Sequence, residues 1–297
     1  KIKKIQNIDC IIAIGGGSAI DFAKGIAILL KNKGNAIKFM GFPKNLKKNV
    51  PVIAIPTTTS TGSEIIFNAV FIDKSSKIKL GINYEKNYPH LSILDTKLIS
   101  TAPRKIINQS AIASLMRAIE TYTSPDSDEI TRFFSKQAFL MISAAINNKR
   151  NINYRELQWG CVFSMIALSN SSSGPSGVIN YYLSTNYNIS QPLSYSFTAL
   201  EFIKFNINKK YYGYCGLLKN NNHINKKNAE FFIKNIVKIQ KLAQKEIEVA
   251  KKKLIEKDKE LENIFKVFEK KNFLSLLKNP VKIKKKELKN IIYKIVN

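Results

Sequence analysis

The sequence predicts an α/β domain built on a parallel sheet over residues 1–104, followed by an all-α domain over residues 105–297. Three observations carry this expectation. As far as Pro103, short β-branched runs alternate with helix-period apolar residues, the pattern of a mostly parallel sheet. Beyond Pro103 the strand-like runs stop and apolar residues recur only at helical spacing. The chain is 297 residues long and 44% hydrophobic, with 17 Phe and 12 Tyr, enough for two domains and a sizeable core.

The elements follow in order. Residues 9–14 form the first strand, stopped by Gly15, Gly16 and Gly17. Residues 18–30 repeat apolar side chains at helical spacing, with Ser18 as the N-cap and Asp21 in the first turn, where an acid meets the positive end of the helix dipole. Residues 52–55 form a second strand that stops at Pro56 and enters the hydroxyl-rich stretch 57–63. Residues 67–72 and 77–82 read as strands around a turn at 73–76, and residues 91–94 as a last short strand before Asp95. Helices are predicted over 106–122, 130–146 and 155–168. The Lys- and Glu-rich tail 228–273 reads as a solvated amphipathic helix on a core, because its apolar register drifts too far for a coiled coil. Asn279-Pro280 interrupts the tail before a last helix at 286–296.

Composition narrows the function classes. The net charge is +27, yet only Arg104, Arg117, Arg132, Arg150 and Arg155 among the 48 basic residues are arginine, the preferred reader of phosphates and bases. Lysine travels with Asn and Ile along the whole chain, as in a genome biased toward A and T, so nucleic acid is not the expected partner. No run of eighteen apolar residues predicts a membrane span, and residues 1–9 lack the apolar core of a signal peptide. Three scattered cysteines, Cys10, Cys161 and Cys215, suit a reducing cytoplasm and give no zinc spacing.

Strand, Gly15-Gly16-Gly17-Ser18, helix is a phosphate-binding arrangement: glycines admit close backbone approach, and the helix N-terminus offers amides and partial positive charge. The next strand end adds Thr57-Thr58-Thr59-Ser60-Thr61-Gly62-Ser63-Glu64 on the same carboxyl edge, where open α/β sheets bind ligands. Together, Gly15-Gly-Gly-Ser-x-x-Asp21-x-Ala-Lys24 and Pro56-Thr-Thr-x-x-Thr61-Gly-Ser-Glu64 resemble the paired cofactor motifs of the iron-containing alcohol dehydrogenase family. Further matches are Ala118-Ile-Glu-x-Tyr122-x-Ser124, Asn170, Gly174, Phe205-Asn206 and Asn279-Pro280, so the resemblance spans essentially the whole chain. It implies a Rossmann-like dinucleotide-binding domain, incomplete at its N-terminus because family members begin with two further strand–helix units, and a helical metal and substrate domain. It also implies NAD or NADP as cofactor, a small alcohol or aldehyde as substrate, and a homo-oligomer. Gly16, Gly17 and Ser18 would touch pyrophosphate, Thr57, Thr58 and Thr61 would lie near the nicotinamide ribose, and Lys79 would reach a cofactor ribose, with Gly15 and Asp21 completing the cofactor-binding set. Asp95 matches the family's Asp-Pro, with Thr96 in place of proline.

The family holds Fe²⁺ or Zn²⁺ with one Asp and three His, and the metal stabilises the alkoxide during hydride transfer. The resemblance places these ligands on Ala113, Arg117, Gly177 and Gln191, with a further substrate-side His on Tyr181. No iron or zinc is expected at such a set. His90 and His223 lie elsewhere and read as exposed. Three functions remain open: a catalytically impaired or inactive dinucleotide-binding relative; a metal-independent NAD(P)H-linked reductase with Arg117 as electrophile, unless Arg117 instead pairs with Glu120; or a decaying gene product or structural subunit.

Overall fold

The computed structural model describes residues 7–59, 62–73, 78–147, 151–219, 223–271 and 273–297. The chain divides into two compact units, Lys1–Pro103 and Arg104–Asn297. Among the described residues, no helix is long and apolar enough to cross a membrane.

In the first unit, β1 (Ile11–Gly15) pairs in parallel with β2 (Val52–Pro56), in register from Ile11 opposite Val52 to Gly15 opposite Pro56. On its other side β2 pairs in parallel with β5 (Leu91–Ser92), giving the order β1-β2-β5. Side chains alternate across β1: Ala13 is buried, whereas Ile12 and Ile14 face outward, 58% and 63% exposed on the sheet's edge strand. Helix α1 (Gly17–Lys31) covers the sheet with Ile20, Ala23 and Ala27, which pack with Ala13, Val52 and Ala54. A second apolar cluster joins Ile28 of α1 to Phe39, Ile82 and Tyr84.

Several sequence expectations need correction here. The expected strands at 67–72 and 77–82 are β3 (Ala69–Asp73) and β4 (Ile78–Ile82), an antiparallel hairpin separate from the parallel sheet. Phe67 and Asn68 drop out of the strand because side chains claim their carbonyls: Asn87 Nδ2 donates to Phe67 O at 3.1 Å and Lys24 Nζ donates to Asn68 O at 2.7 Å. Most of the turn expected at 73–76 lies outside the described residues. The strand at 91–94 shortens to two residues, and Asp95 instead caps α2 (Thr96–Ser100), accepting from the Lys97 amide at 2.9 Å.

The second unit is entirely helical among the described residues: α3 (Arg104–Thr123), α4 (Glu129–Asn147), α5 (Tyr154–Ser169), α6 (Ser176–Asn186), α7 (Gln191–Asn208), α8 (Lys226–Gln240), α9 (Gln244–Lys251), α10 (Lys257–Lys270) and α11 (Lys285–Val296). Helix α3 is the centre, with Ala111, Ile112, Leu115, Met116, Ala118 and Ile119 all fully buried. The tail is not one helix. It breaks into α8, α9 and α10, and ends at Phe273 in the left-handed conformation (φ 55°). Each piece has its own apolar stripe, such as Phe232, Ile236 and Ile239 of α8, and this change of facing appears in the sequence as drift of register.

Candidate functional site

Gly15 ends β1 at φ 153°, a conformation that L side chains rarely adopt, and a Cβ there would lie 2.8 Å from Ala19 Cβ. At Gly16 a Cβ would come within 3.2 Å of Thr58 Oγ1, so the glycine turn and the threonine stretch meet closely. The Thr57 amide donates to Gly15 O at 2.9 Å and fastens the two strand ends together. Helical bonding in α1 begins with the Ala19 and Ile20 amides donating to Gly16 O. The Gly17 and Ser18 amides therefore stand in the first turn, ahead of any intrahelical acceptor, where an anion is best accommodated. Gly16, not Ser18, is the N-cap, and no side chain caps the helix. The glycine run lets the chain enter the helix two residues early and leaves Ser18 exposed in the first turn. Thr57 and Thr58 are half-buried beside it, and Thr61 lies outside the described residues. Thr59 is 4% exposed, and among the described residues its Oγ1 has no hydrogen-bond partner.

Asp21 sits two residues deeper in the helix than expected, beyond the first turn, and is buried. It accepts from the Val70 amide at 3.1 Å and from the Ser63 hydroxyl, and lies 3.8 Å from Lys24 Nζ. Burial raises its pKa, opposed chiefly by the Lys24 charge. Lys24 is fully buried and donates to Ile66 O at 2.8 Å and Asn68 O at 2.7 Å. Burial pushes its pKa down to about 8, against the raising influence of Asp21 and Glu64. Lys79, on β4, is likewise pushed down to about 8 by burial, with Asp21 acting in the opposite sense. This charged set ties α1 to the hairpin and to the 62–68 segment. Sequence reasoning missed its scale. The signal was present as Lys24 three residues after Asp21, one helical turn on and thus on the same face.

In the helical unit, Ala113 and Arg117 lie one turn apart on α3, both buried. Gly177 is the second residue of α6 and Gln191 the first of α7. Glu120, one turn beyond Arg117, accepts from Ser176 Oγ of α6 at 2.5 Å and from the Tyr195 hydroxyl of α7. The Arg117 guanidinium lies over the Tyr195 ring, 5.9 Å from its centroid, and its charge acts on Glu120. Desolvation raises the Glu120 pKa, and the bonds from Ser176 and Tyr195, with Arg117, oppose the rise. Tyr195 is pushed up by burial and by the Glu120 charge. Neither Ser176 nor Tyr195 stood out in the sequence; Tyr195 sits one helical turn after Gln191, and that spacing was the only available signal. Behind this set, Asn206 and Asn279 exchange amide hydrogen bonds at 2.7 and 3.0 Å, and Asn206 also donates to the Tyr214 hydroxyl. His90 and His223 are exposed, and no cluster of three His, Cys, Asp or Glu suited to a metal ion occurs among the described residues.

An α/β unit with a glycine turn at the carboxyl end of its first strand and a separate all-helical unit together define a dehydrogenase-type fold. Residues 1–96 match the family described as iron-containing alcohol dehydrogenase, and residues 108–296 match the C-terminal region of the Fe-containing alcohol dehydrogenase family. The chain belongs to the iron-containing alcohol dehydrogenase family. It is 30% identical over 209 residues to the NAD-dependent methanol dehydrogenase of Bacillus methanolicus, covering 69% of this chain and 55% of that protein. It superposes on an alcohol dehydrogenase from Oenococcus oeni with a TM-score of 0.83 at 22% identity, over 99% of this chain and 78% of that one. The sulfoacetaldehyde reductase from Bifidobacterium kashiwanohense, solved in complex with NAD⁺, gives a TM-score of 0.80 at 20% identity, covering 100% and 78% of the respective chains. The chain spans about half the length of the curated relatives it matches.

Proposed function

We propose that this chain binds a nicotinamide dinucleotide at the Gly15–Gly17 turn and is a metal-free, catalytically impaired relative of NAD-linked alcohol and aldehyde dehydrogenases. The observation that carries the reading is the cradle: two glycine positions that a Cβ would fill, closed against Thr57 and Thr58, with first-turn amides of α1 beside them. NAD or NADP fits these residues. Gly16, Gly17 and Ser18 receive the pyrophosphate at the turn that Gly15 opens, Thr57 and Thr58 flank the nicotinamide ribose, and Lys79 serves a ribose hydroxyl; the resemblance adds Thr61, which lies outside the described residues. Asp21 acts on the cofactor indirectly, by holding the hairpin that carries Lys79. When bound, the dinucleotide supplies the hydride donor or acceptor. Residues 1–104 form the nucleotide domain and residues 105–297 the domain that holds metal and substrate in the family. A small alcohol or aldehyde, a second copy of the chain and a cytoplasmic setting complete the reading; free Cys10, Cys161 and Cys215 fit a reducing compartment.

The residues at the family's metal positions do not fit iron or zinc. Ala113 offers a methyl group, Gly177 nothing, Gln191 a neutral amide, and Arg117 a fixed positive charge that repels a dication. The alternative reading, a metal-independent reductase with Arg117 as electrophile, is less favoured because the Arg117 charge is already directed at Glu120 and the Tyr195 ring. Titration of NADH against the purified chain tests the binding half of the proposal. NADH fluorescence is expected to rise to saturation, and a flat response up to millimolar NADH would refute dinucleotide binding.

A further inference from the structure

The polar contacts that occupy the centre of the helical unit are drawn from beside the family's metal positions. Ser176 is the neighbour of Gly177, Tyr195 follows Gln191 by one helical turn, and Glu120 follows Arg117 by one turn. Helices α6 and α7 each send a hydroxyl to one carboxylate of α3, Ser176 Oγ to Glu120 Oε1 and the Tyr195 hydroxyl to Glu120 Oε2, and Arg117 of α3 lies over the Tyr195 ring at 5.9 Å. We propose that Arg117, Glu120, Ser176 and Tyr195 form a cross-link that does the structural work of a metal cage, joining α3, α6 and α7 around a cation supplied by the chain itself. The inference rests on the metal-free reading above and adds a role for Arg117 and for the residues beside the family's metal positions.

The local chemistry agrees at each position. A desolvated carboxylate needs a positive charge and hydrogen-bond donors, and a metal or a guanidinium can provide the charge. Arg117 provides it without any ion from solution, and the Tyr195 ring lies under its guanidinium. Gly174 makes space for the carboxylate: a Cβ there would stand 2.6 Å from Glu120 Oε1. Glycine at 177 is equally consistent, since even a Cβ would press to 3.2 Å on Ser173 Oγ at the turn that presents Ser176. Both Ser176 and Tyr195 donate to different oxygens of one acceptor, so each bond orders the carboxylate for the other.

A double-mutant cycle on the full chain tests this. Tyr195→Phe keeps the ring and deletes only the hydroxyl; it is expected to lower the melting temperature by roughly 5–10 °C, as for loss of a charge-assisted bond in a domain of this size. In a Glu120→Leu background the same change is expected to have almost no effect, because its acceptor is gone. An equal loss in both backgrounds would overturn the cross-link. If Glu120→Leu does not fold, the cycle is run with Ser176→Ala, and strict additivity of the two hydroxyl deletions again overturns it. Melting with added Zn²⁺ or Fe²⁺, and with EDTA, is measured alongside. No shift is expected from any of the three; a rise with metal that EDTA reverses would refute the metal-free reading, whatever the cycle shows.

Discussion

Lys24→Met is expected to destabilise the α/β unit by about 3–5 kcal/mol at neutral pH, the cost of removing one partner from a buried charge pair. The substitution keeps the length of the side chain but leaves Asp21 buried without its nearest cation and the carbonyls of Ile66 and Asn68 without their donor. Total stabilities of about 5–15 kcal/mol make this a large fraction. Asp21 has a raised pKa in the folded protein, so its contribution is greatest where it is protonated and is lost as pH climbs from its ordinary value toward the folded one. Without Lys24 that pKa rises further, and the deficit of the variant should be larger at pH 7.5 than at pH 5. In the unmodified protein Lys24 acts in the other direction at high pH. Its folded pKa of about 8 lies below the unfolded 10.5, so the unfolded chain holds more protons between those values and stability increases with pH there. Urea denaturation followed by circular dichroism at pH 5, 7.5 and 9.5 measures all three. A deficit equal at pH 5 and 7.5 would show that Lys24 acts by packing and not by charge.

Gly16→Val is expected to weaken NADH binding by at least about tenfold, or about 1.4 kcal/mol. At φ −75° position 16 tolerates an L side chain, so the backbone itself is not strained. The obstruction is local: a Cβ would meet Thr58 Oγ1 at 3.2 Å, and two γ-methyl groups extend beyond it over the first-turn amides. Gly16→Ala should have a smaller effect in the same assay. Melting temperatures of both variants should stay near that of the parent, which separates loss of the phosphate site from loss of fold. NADH titration at fixed ionic strength reads the result, and parental affinity in Gly16→Val would place the phosphate elsewhere.

The glycine loop and its threonine partner stretch were legible in the sequence because their chemistry is local. A β-branched run, three glycines and an amphipathic helix specify one another within twenty residues, and the second strand end carries an unusual density of hydroxyls. The alternation of strand and helix before Pro103, and its cessation afterwards, were readable for the same reason. Long-range side-chain-to-backbone bonds were not. Lys24 reaching Asn68 shortens β3, and no propensity at Phe67 or Asn68 predicts it. The early start of α1 was missed because Ser18 looks like a cap, while a glycine at 16 serves with backbone alone. In the helical unit the resemblance assigns the family's metal positions to Ala113, Arg117, Gly177 and Gln191. The contacts made by their neighbours were not legible, since Ser176 and Tyr195 join Glu120 across 56 and 75 residues of sequence.

We propose that the chain has kept a nucleotide site and lost metal-dependent chemistry. The most direct measurement is NADH-linked reduction of a short-chain aldehyde by the purified full chain, with EDTA, with Fe²⁺ and with Zn²⁺, at NADH concentrations that saturate the fluorescence titration. Bound NADH with no turnover above background is expected under all three conditions. Turnover that appears with metal and disappears with EDTA would contradict it.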